Sequence, residues 1–224
     1  MLTKRMEEIL QKSKATGWVL EPDAKAIFAE YGLTVPRYRW TVSAEEAVSF
    51  ANEIGYPVVA KIISPKVIHK SDVGGVITGI GTDQEIRSAF KNLEPLEGFQ
   101  GVLVEETLEG VELIAGAKND MQFGPVVLLG MGGTGVEIYN DVSIRMAPLS
   151  KGDVEDMTRC LKAYKVLTGY RGNPPVSIED LSRVLVSFSN LAMELKPYFE
   201  SIDINPLMCT ADHCVIADAR IIMK

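Results

Sequence analysis

Apolar residues recur along this chain in two spacings, one typical of amphipathic helices and one typical of buried strands. The helical spacing, with capping residues such as Ser43 and Ser177 at its start, predicts helices at residues 2–14, 22–31, 43–54, 83–92, 150–164 and 177–195. Short apolar runs predict strands at residues 57–63, 76–80, 101–107, 111–118, 125–130, 136–139, 142–146, 199–207 and 214–219. The mixture indicates an α/β protein.

The balance between helices and strands changes near the middle of the chain. Helices and strands alternate in the first half, whereas strands dominate directly after residue 110. We therefore predict two α+β lobes with a cleft between them, at about residues 20–104 and 105–224, and allow residues 1–19 to pack with the second lobe.

Composition narrows the class of protein. The 224 residues are 46% hydrophobic and carry a formal net charge of −7, which gives no support to nucleic-acid or anionic-membrane partners. No apolar run reaches the roughly 18 residues of a membrane span, and the N-terminus lacks a signal-peptide pattern. Three cysteines form no disulfide framework, which favours a reducing cytoplasm. Cys209, His213 and Cys214 are interpreted as the tip of a β-hairpin rather than a metal cluster.

A single lysine interrupts the apolar strand at residues 57–63, and a polar loop follows it. Lys61 needs an anionic partner in such a strand, because a charged side chain is seldom buried alone. The loop carries His69 and then Ser71-Asp-Val-Gly74-Gly75, in which glycines let backbone N–H groups approach an anion closely. A histidine can also accept a phosphoryl group on a ring nitrogen. The combination indicates phosphoryl transfer, against the alternatives of a salt-bridged lysine and a surface histidine.

Polar residues near the C-terminus suggest a metal site. Asp203 and Asn205 lie two apart on a predicted strand and therefore share a face, and Asp218 on the partner strand could converge with them. Carboxylate and amide oxygens suit Mg²⁺, with water and phosphate completing its ligands. The alternative is a solvated sheet face, which the phosphate-loop pattern upstream makes the weaker interpretation.

Two further segments carry weaker signals. The strand around Glu105 runs through a short turn into the strand of Glu112, as in a hinge that could contact a base and a ribose. Four glycines between Gly130 and Gly135 predict a loop that approaches something closely, although no helix follows to make a dinucleotide fingerprint.

Five segments, taken together and in this order, resemble those of one enzyme family. They read VVAKIISP, HKSDVGGV, LVEE followed by GVE, FGPVV followed by the glycine-rich loop, and DINPL. From about residue 18 to residue 220 the chain resembles the nucleotide-binding subunit of ADP-forming acyl-CoA synthetases (acetate–CoA ligase, ADP-forming), which are related to succinyl-CoA synthetase. The resemblance implies the ATP-grasp fold, with the nucleotide in the cleft between two subdomains of a single domain.

The resemblance also implies roles for individual residues. It implies a nucleotide site formed by Lys61, the phosphate-loop residues Ser71, Gly74 and Gly75, the hinge residues Glu105, Thr107 and Leu108, and Glu112 at the ribose. It implies that Asn205 and Asp218 bind Mg²⁺ with Asp203 beside them. It implies that His69 relays the phosphoryl group between the CoA site and ADP. Arg145 and Arg171 lie in shared segments and receive no role.

In such enzymes the ATP-grasp part transfers a phosphoryl group from phosphohistidine to ADP. Nothing here matches a CoA-binding or ligase domain, so the resemblance implies a CoA-binding alpha subunit, in a heterotetramer of two plus two chains, with ADP, ATP and phosphate as ligands. Two alternatives stay open at this point. One is a self-contained ATP-grasp carboxylate–amine ligase, and the other is a nucleotide-sensing subunit without enzymatic activity.

Overall fold

The computed structural model describes residues 1–133, 141–172 and 174–224. Among these residues the helices are α1 (Lys4–Ser13), α2 (Glu21–Glu30), α3 (Ala44–Ile54), α4 (Asp83–Leu93), α5 (Lys151–Cys160), α6 (Tyr164–Leu167) and α7 (Ile178–Leu195). The strands are β1 (Trp18–Val19), β2 (Tyr38–Thr41), β3 (Val58–Ile63), β4 (Val76–Ile80), β5 (Gly101–Glu106), β6 (Val111–Asp120), β7 (Gly124–Met131), β8 (Val142–Met146), β9 (Phe199–Cys209), β10 (Cys214–Ile216) and β11 (Ala219–Met223). No helix in these described ranges has the length and apolar character needed to cross a bilayer.

The chain divides into two compact units, each with its own hydrophobic core. The larger contains Met1–Val35 and Glu109–Lys224, and the smaller contains Pro36–Leu108. Residues 20–35 therefore belong to the larger unit, whereas we predicted them in the first lobe. The reason is packing, since Ile27 and Phe28 of α2 are fully buried in the core of the larger unit.

The smaller unit is an antiparallel sheet with two helices. Its strands lie in the order β2-β5-β3-β4, and the apolar residues of α3 and α4 share one core with this sheet. Both helices begin where predicted, because Ser43 accepts a hydrogen bond from the Glu46 N–H and Thr82 accepts one from the Glu85 N–H. All six residues of β3 are buried, as expected for an interior strand.

The larger unit is built on a sheet in the order β1-β11-β9-β6-β7-β8, with β10 also paired to β9. Alternate residues of its long strands, such as Ala115 of β6 and Ile204 of β9, pack in one core with Leu185 and Phe188 of α7. The residues between them point to the opposite face of the sheet. That second face carries the polar side chains of the predicted metal site.

Two predicted elements are divided in the structure. The helix predicted at residues 150–164 ends at Cys160, because the backbone turns extended at Leu161 and the Asp141 carboxylate accepts hydrogen bonds from the N–H groups of Lys162 and Ala163. A short helix, α6, then follows.

The strand predicted at residues 214–219 is two strands, β10 and β11, separated at Ala217 and Asp218. The pairing register is the same on both sides of the break, but Pro206 on the facing strand has no N–H to donate to the ladder. The strand predicted at Val136–Tyr139 lies outside the described residues.

Candidate nucleotide site

Strand β3 places Lys61 beside an acidic residue of the neighbouring strand. The Lys61 Nζ lies 2.7 Å from the Glu105 Oε1 of β5, and the two residues are only 6% and 3% exposed. The anionic partner that a buried lysine requires is thus supplied by the protein itself. The sequence analysis considered such a salt bridge as the alternative to phosphate binding by Lys61. The salt bridge also occupies the carboxylate of Glu105, which was predicted to belong to the nucleotide site.

The loop after β3 is closed by its own backbone. A 3₁₀ turn spans Ser71–Val73, and the N–H groups of Val73, Gly74 and Gly75 donate to the carbonyls of Lys70 and Ser71. In this conformation those three N–H groups are not open to an anion, which differs from the expectation for a phosphate-binding loop. Ser71 and Gly74 are exposed at the surface of the loop.

The two adjacent glycines of this loop serve different purposes. Gly74 adopts the left-handed conformation at a φ of +67°, with space around it. Gly75 has no such φ, but a Cβ there would lie 2.7 Å from the Ile62 Cγ2 and 2.9 Å from the Lys70 carbonyl oxygen. Its N–H donates to that carbonyl at 2.7 Å, and its own carbonyl accepts from the Ile62 N–H at 2.8 Å. Gly75 therefore holds the loop against β3.

His69 lies exposed in the same loop, two residues before the 3₁₀ turn. An exposed imidazole can be approached by a group on another chain, as a phosphoryl relay requires. The geometry is also that of an ordinary surface histidine, so its role as a relay stays a prediction.

The end of β5 is tied to neighbouring segments of the smaller unit. The Glu106 carboxylate pairs with the Arg37 guanidinium and accepts a hydrogen bond from the Arg37 N–H at 2.7 Å. The Thr107 hydroxyl donates to the Pro57 carbonyl at 2.9 Å. Leu108 follows, half-buried. Thr107 thus has a structural partner, and any contact of Thr107 or Leu108 with an adenine base stays a prediction.

Glu112 lies exposed on β6 and is approached by the glycine-rich loop. The Gly132 N–H donates to the Glu112 carbonyl at 2.7 Å, and a Cβ on Gly132 would lie 2.8 Å from that carbonyl group. At Gly133, where φ is +82°, a Cβ would lie 3.5 Å from the Glu112 Oε2. The glycine-rich loop was predicted to approach another group closely. At Gly132 and Gly133 that group is Glu112. Thr134 and Gly135 lie outside the described residues.

The three residues predicted to bind Mg²⁺ come together in the larger unit. Asp203 and Asn205 share a face of β9, and the Asn205 N–H donates to the Asp218 carbonyl at 3.2 Å. Two carboxylates and an amide are oxygen donors that fit Mg²⁺, with phosphate and water for the remaining positions. No group of three His, Cys, Asp or Glu side chains suited to a metal occurs within the described parts of the chain. The candidate site therefore includes the amide of Asn205 beside the carboxylates.

Arg220 is a member of this cluster that the sequence analysis missed. It lies opposite Asp203 in the β9–β11 register, and its Nη2 donates to the Asp203 Oδ2 at 3.1 Å. The sequence shows that Arg220 follows Asp218 by two residues. The pairing with Asp203, however, depends on a strand register that the sequence pattern does not supply.

A cavity of about 450 Å³ opens on this face of the large sheet. Asp203, Asn205 and Arg220 line one part of it. Apolar side chains from β6, β7 and β8 line most of the rest, namely Ile114, Val126, Leu128 and Ile144, and the polar residues Lys118 and Ser201 also line it. A cavity that is apolar over most of its wall, with a few convergent polar groups, is typical of a small-molecule site.

The cysteine pair of the C-terminal hairpin is confirmed as a structural feature of the hairpin. Cys209 and Cys214 face each other on β9 and β10, and both are buried. The hydrogen bond between the two thiols, together with burial, raises the pKa of Cys209. A thiol held neutral in this way is a poor metal ligand and a poor nucleophile.

Comparison with known proteins gives matches over nearly the whole chain. The family model for the ATP-grasp domain matches residues 10–223. The beta subunit of acetate–CoA ligase [ADP-forming] I from Pyrococcus furiosus is 46% identical over 228 residues, which cover 98% of each chain.

Two solved structures of acetyl-coenzyme A synthetase 1 from Ca. Korarchaeum cryptofilum are also similar. One, in complex with coenzyme A, Ca-AMPCP and HgCl+, has a TM-score of 0.92 and 42% identity, covering 97% of this chain and 99% of that chain. The other contains coenzyme A and Mg-AMPPCP, with a phosphohistidine segment that points towards the nucleotide binding site. Its TM-score is 0.86 at 41% identity, covering 98% of this chain and 100% of that chain.

Proposed function

The chain belongs to the ATP-grasp domain family, and we propose that it is the nucleotide-binding subunit of an ADP-forming acyl-CoA synthetase. It transfers a phosphoryl group from phosphohistidine to ADP, in the overall reaction of acyl-CoA, ADP and phosphate to acid, ATP and CoA. The observation that carries this proposal is the 46% identity over 98% of both chains to a beta subunit of acetate–CoA ligase [ADP-forming].

The chain contributes binding and charge to this reaction. In the larger unit, Asp203, Asn205 and Asp218 would hold Mg²⁺, which neutralises charge between phosphate groups when it is bound. In the smaller unit, Lys61 would contribute a positive charge held in place by Glu105, and His69 would accept the phosphoryl group. The cavity beside Asn205 provides an apolar wall that can exclude water from part of the nucleotide.

The acyl chemistry requires a partner. The related Pyrococcus furiosus protein is itself named a subunit, which supports a separate CoA-binding alpha subunit for this chain. We extend the proposal to a heterotetramer of two plus two chains in the cytoplasm.

Reconstitution tests the proposed function. The chain is co-expressed with the CoA-binding subunit of its host and purified as a complex. We expect formation of ATP and free CoA from acetyl-CoA, ADP, phosphate and Mg²⁺, with no activity when either subunit is omitted. Hydrolysis of ATP by the isolated chain in the presence of a carboxylate and an amine, with an amide as product, would instead identify a carboxylate–amine ligase. Nucleotide binding without turnover by the purified complex would identify a sensing subunit.

A further inference from the structure

The guanidinium of Arg220 is held by one hydrogen bond, but another of its N–H donors has no acceptor in the described part of the chain. Its Nη2 donates to the Asp203 Oδ2 at 3.1 Å, which ties the side chain to the facing strand. Its Nε is buried, and no acceptor for it occurs among the residues that the structure describes. A buried donor without an acceptor is costly, so such a group is commonly the contact point for a ligand.

The surroundings of Arg220 indicate which ligand would use this donor. The side chain lines the cavity of about 450 Å³ together with Asp203 and Asn205. Arginine presents several N–H groups in a planar fork that matches the oxygens of a phosphate. The contact with Asp203 uses Nη2, and Nε of the same planar group has no partner among the described residues.

We propose that Arg220 is a phosphate-binding residue of the transfer site, with Asp203 as the residue that orients it. This inference rests on the proposed function, and it adds a contact to a phosphate oxygen of the bound nucleotide. It also changes the role predicted for Asp203, which supports Arg220 through one oxygen in addition to any contact with Mg²⁺.

The contact can be located by ligands that differ in their phosphates. We expect Arg220→Met to raise the Kd of Mg-ADP or of the ATP analogue Mg-AMPPCP by at least about tenfold, the usual effect of losing a charged hydrogen bond. The Kd of AMP should stay unchanged, because AMP lacks the β-phosphate. Weaker binding of both nucleotides would assign the contact to the β-phosphate, and weaker binding of Mg-AMPPCP alone would assign it to the terminal phosphate. Calorimetric titration of the full chain measures all three constants.

A merely structural role for Arg220 predicts a different pattern. If Arg220 served only to hold Asp203 in place for Mg²⁺, Arg220→Met would weaken nucleotide binding only when Mg²⁺ is present. If Arg220 binds phosphate, the Kd of ADP measured without Mg²⁺ also rises. Arg220→Lys keeps the charge without the fork and should give an intermediate loss. Arg87→Met is the matched control, since it breaks the Arg87–Glu45 ion pair on the surface of the smaller unit and should leave every Kd unchanged.

Two outcomes would overturn the inference, and they are distinguishable. Wild-type affinity of Arg220→Met for ADP in the absence of Mg²⁺ would refute the role of Arg220 and leave the proposed function standing. Failure of the wild-type chain to bind either nucleotide would refute the proposed function and this inference with it.

Discussion

The Lys61 ammonium and the Glu105 carboxylate lie 2.7 Å apart on adjacent antiparallel strands, and both side chains are almost fully buried. Removal of one partner from a buried ion pair is costly, because the other charge loses its compensation in a poorly hydrated place. The pair therefore has two consequences that experiments must separate. It stabilises the smaller unit, and it positions a cation that a phosphate could share.

Lys61→Met should lower the free energy of unfolding by about 3 kcal/mol, since it removes the cation beside Glu105. The double variant Lys61→Met/Glu105→Gln removes both charges and should recover most of that loss. If Lys61 also binds phosphate, Mg-ADP affinity stays low in the double variant even though stability returns. Urea unfolding and calorimetric titration measure the two effects. Wild-type affinity in the double variant would restrict Lys61 to a structural role.

Gly75→Ala should disturb the loop that carries His69. The added Cβ would lie 2.7 Å from Ile62 and 2.9 Å from the Lys70 carbonyl oxygen, so we expect a loss of stability of about 1–3 kcal/mol. The matched control is Gly74→Ala, where no atom lies within 4 Å and only the φ of +67° opposes a side chain, at a cost of about 1 kcal/mol. Chemical unfolding compares the two variants. An equal or smaller effect at Gly75 would contradict the close approach.

Local signals in the sequence account for the elements that were predicted well. The predicted strand at residues 76–80 has the bounds of β4, and the capping residue Ser177 precedes α7 as predicted. These signals lie within a few residues of the element that they define. The break between β10 and β11 could not be found in this way, because it arises from Pro206 on the facing strand.

In the candidate site, too, local features could be predicted from the sequence and pairings between strands could not. Asp203 and Asn205 could be placed on one face because strand alternation is local. The partners Lys61–Glu105 and Asp203–Arg220 depend on the registers between β3 and β5 and between β9 and β11. Register follows from turns, bulges and core packing over the whole sheet, so the ion pairs emerge only from the three-dimensional structure.

Asn205→Ala and Asp218→Ala should each raise the Mg²⁺ concentration needed for half-maximal turnover of the reconstituted complex by about tenfold or more. Each variant removes one oxygen donor from the candidate Mg²⁺ site. Asp212→Ala is the control. This residue is exposed at the tip of the β9–β10 hairpin and takes no part in the ion pair between Asp203 and Arg220. Unchanged Mg²⁺ dependence in both variants, measured by titrating the metal at saturating ADP, would mean that these residues form only a solvated face.

His69→Asn should separate nucleotide binding from phosphoryl transfer. Asparagine has a similar size and can form hydrogen bonds, but it lacks a nucleophilic ring nitrogen, so Mg-ADP binding should survive while turnover falls by about 100-fold or more. The exposed position of His69 supports this expectation, because a phosphoryl donor on a partner chain must reach the imidazole. Turnover of the reconstituted complex and titration of the isolated chain test the two effects separately.

Direct labelling decides whether the phosphoryl group resides on His69 itself. The complex is treated with acyl-CoA and radiolabelled phosphate, and peptide mapping should find an acid-labile, base-stable phosphate on residues of the loop around His69. His213→Asn is the control, because this exposed histidine lies on the β9–β10 hairpin and should leave the label intact. If the partner's phosphohistidine reached ADP without a relay, this chain would carry no label and His69→Asn would slow turnover only slightly. An absent label together with nearly normal turnover would mean that the imidazole of His69 serves only as a phosphate ligand. A relay requires that the native chain carries the label and that His69→Asn loses it.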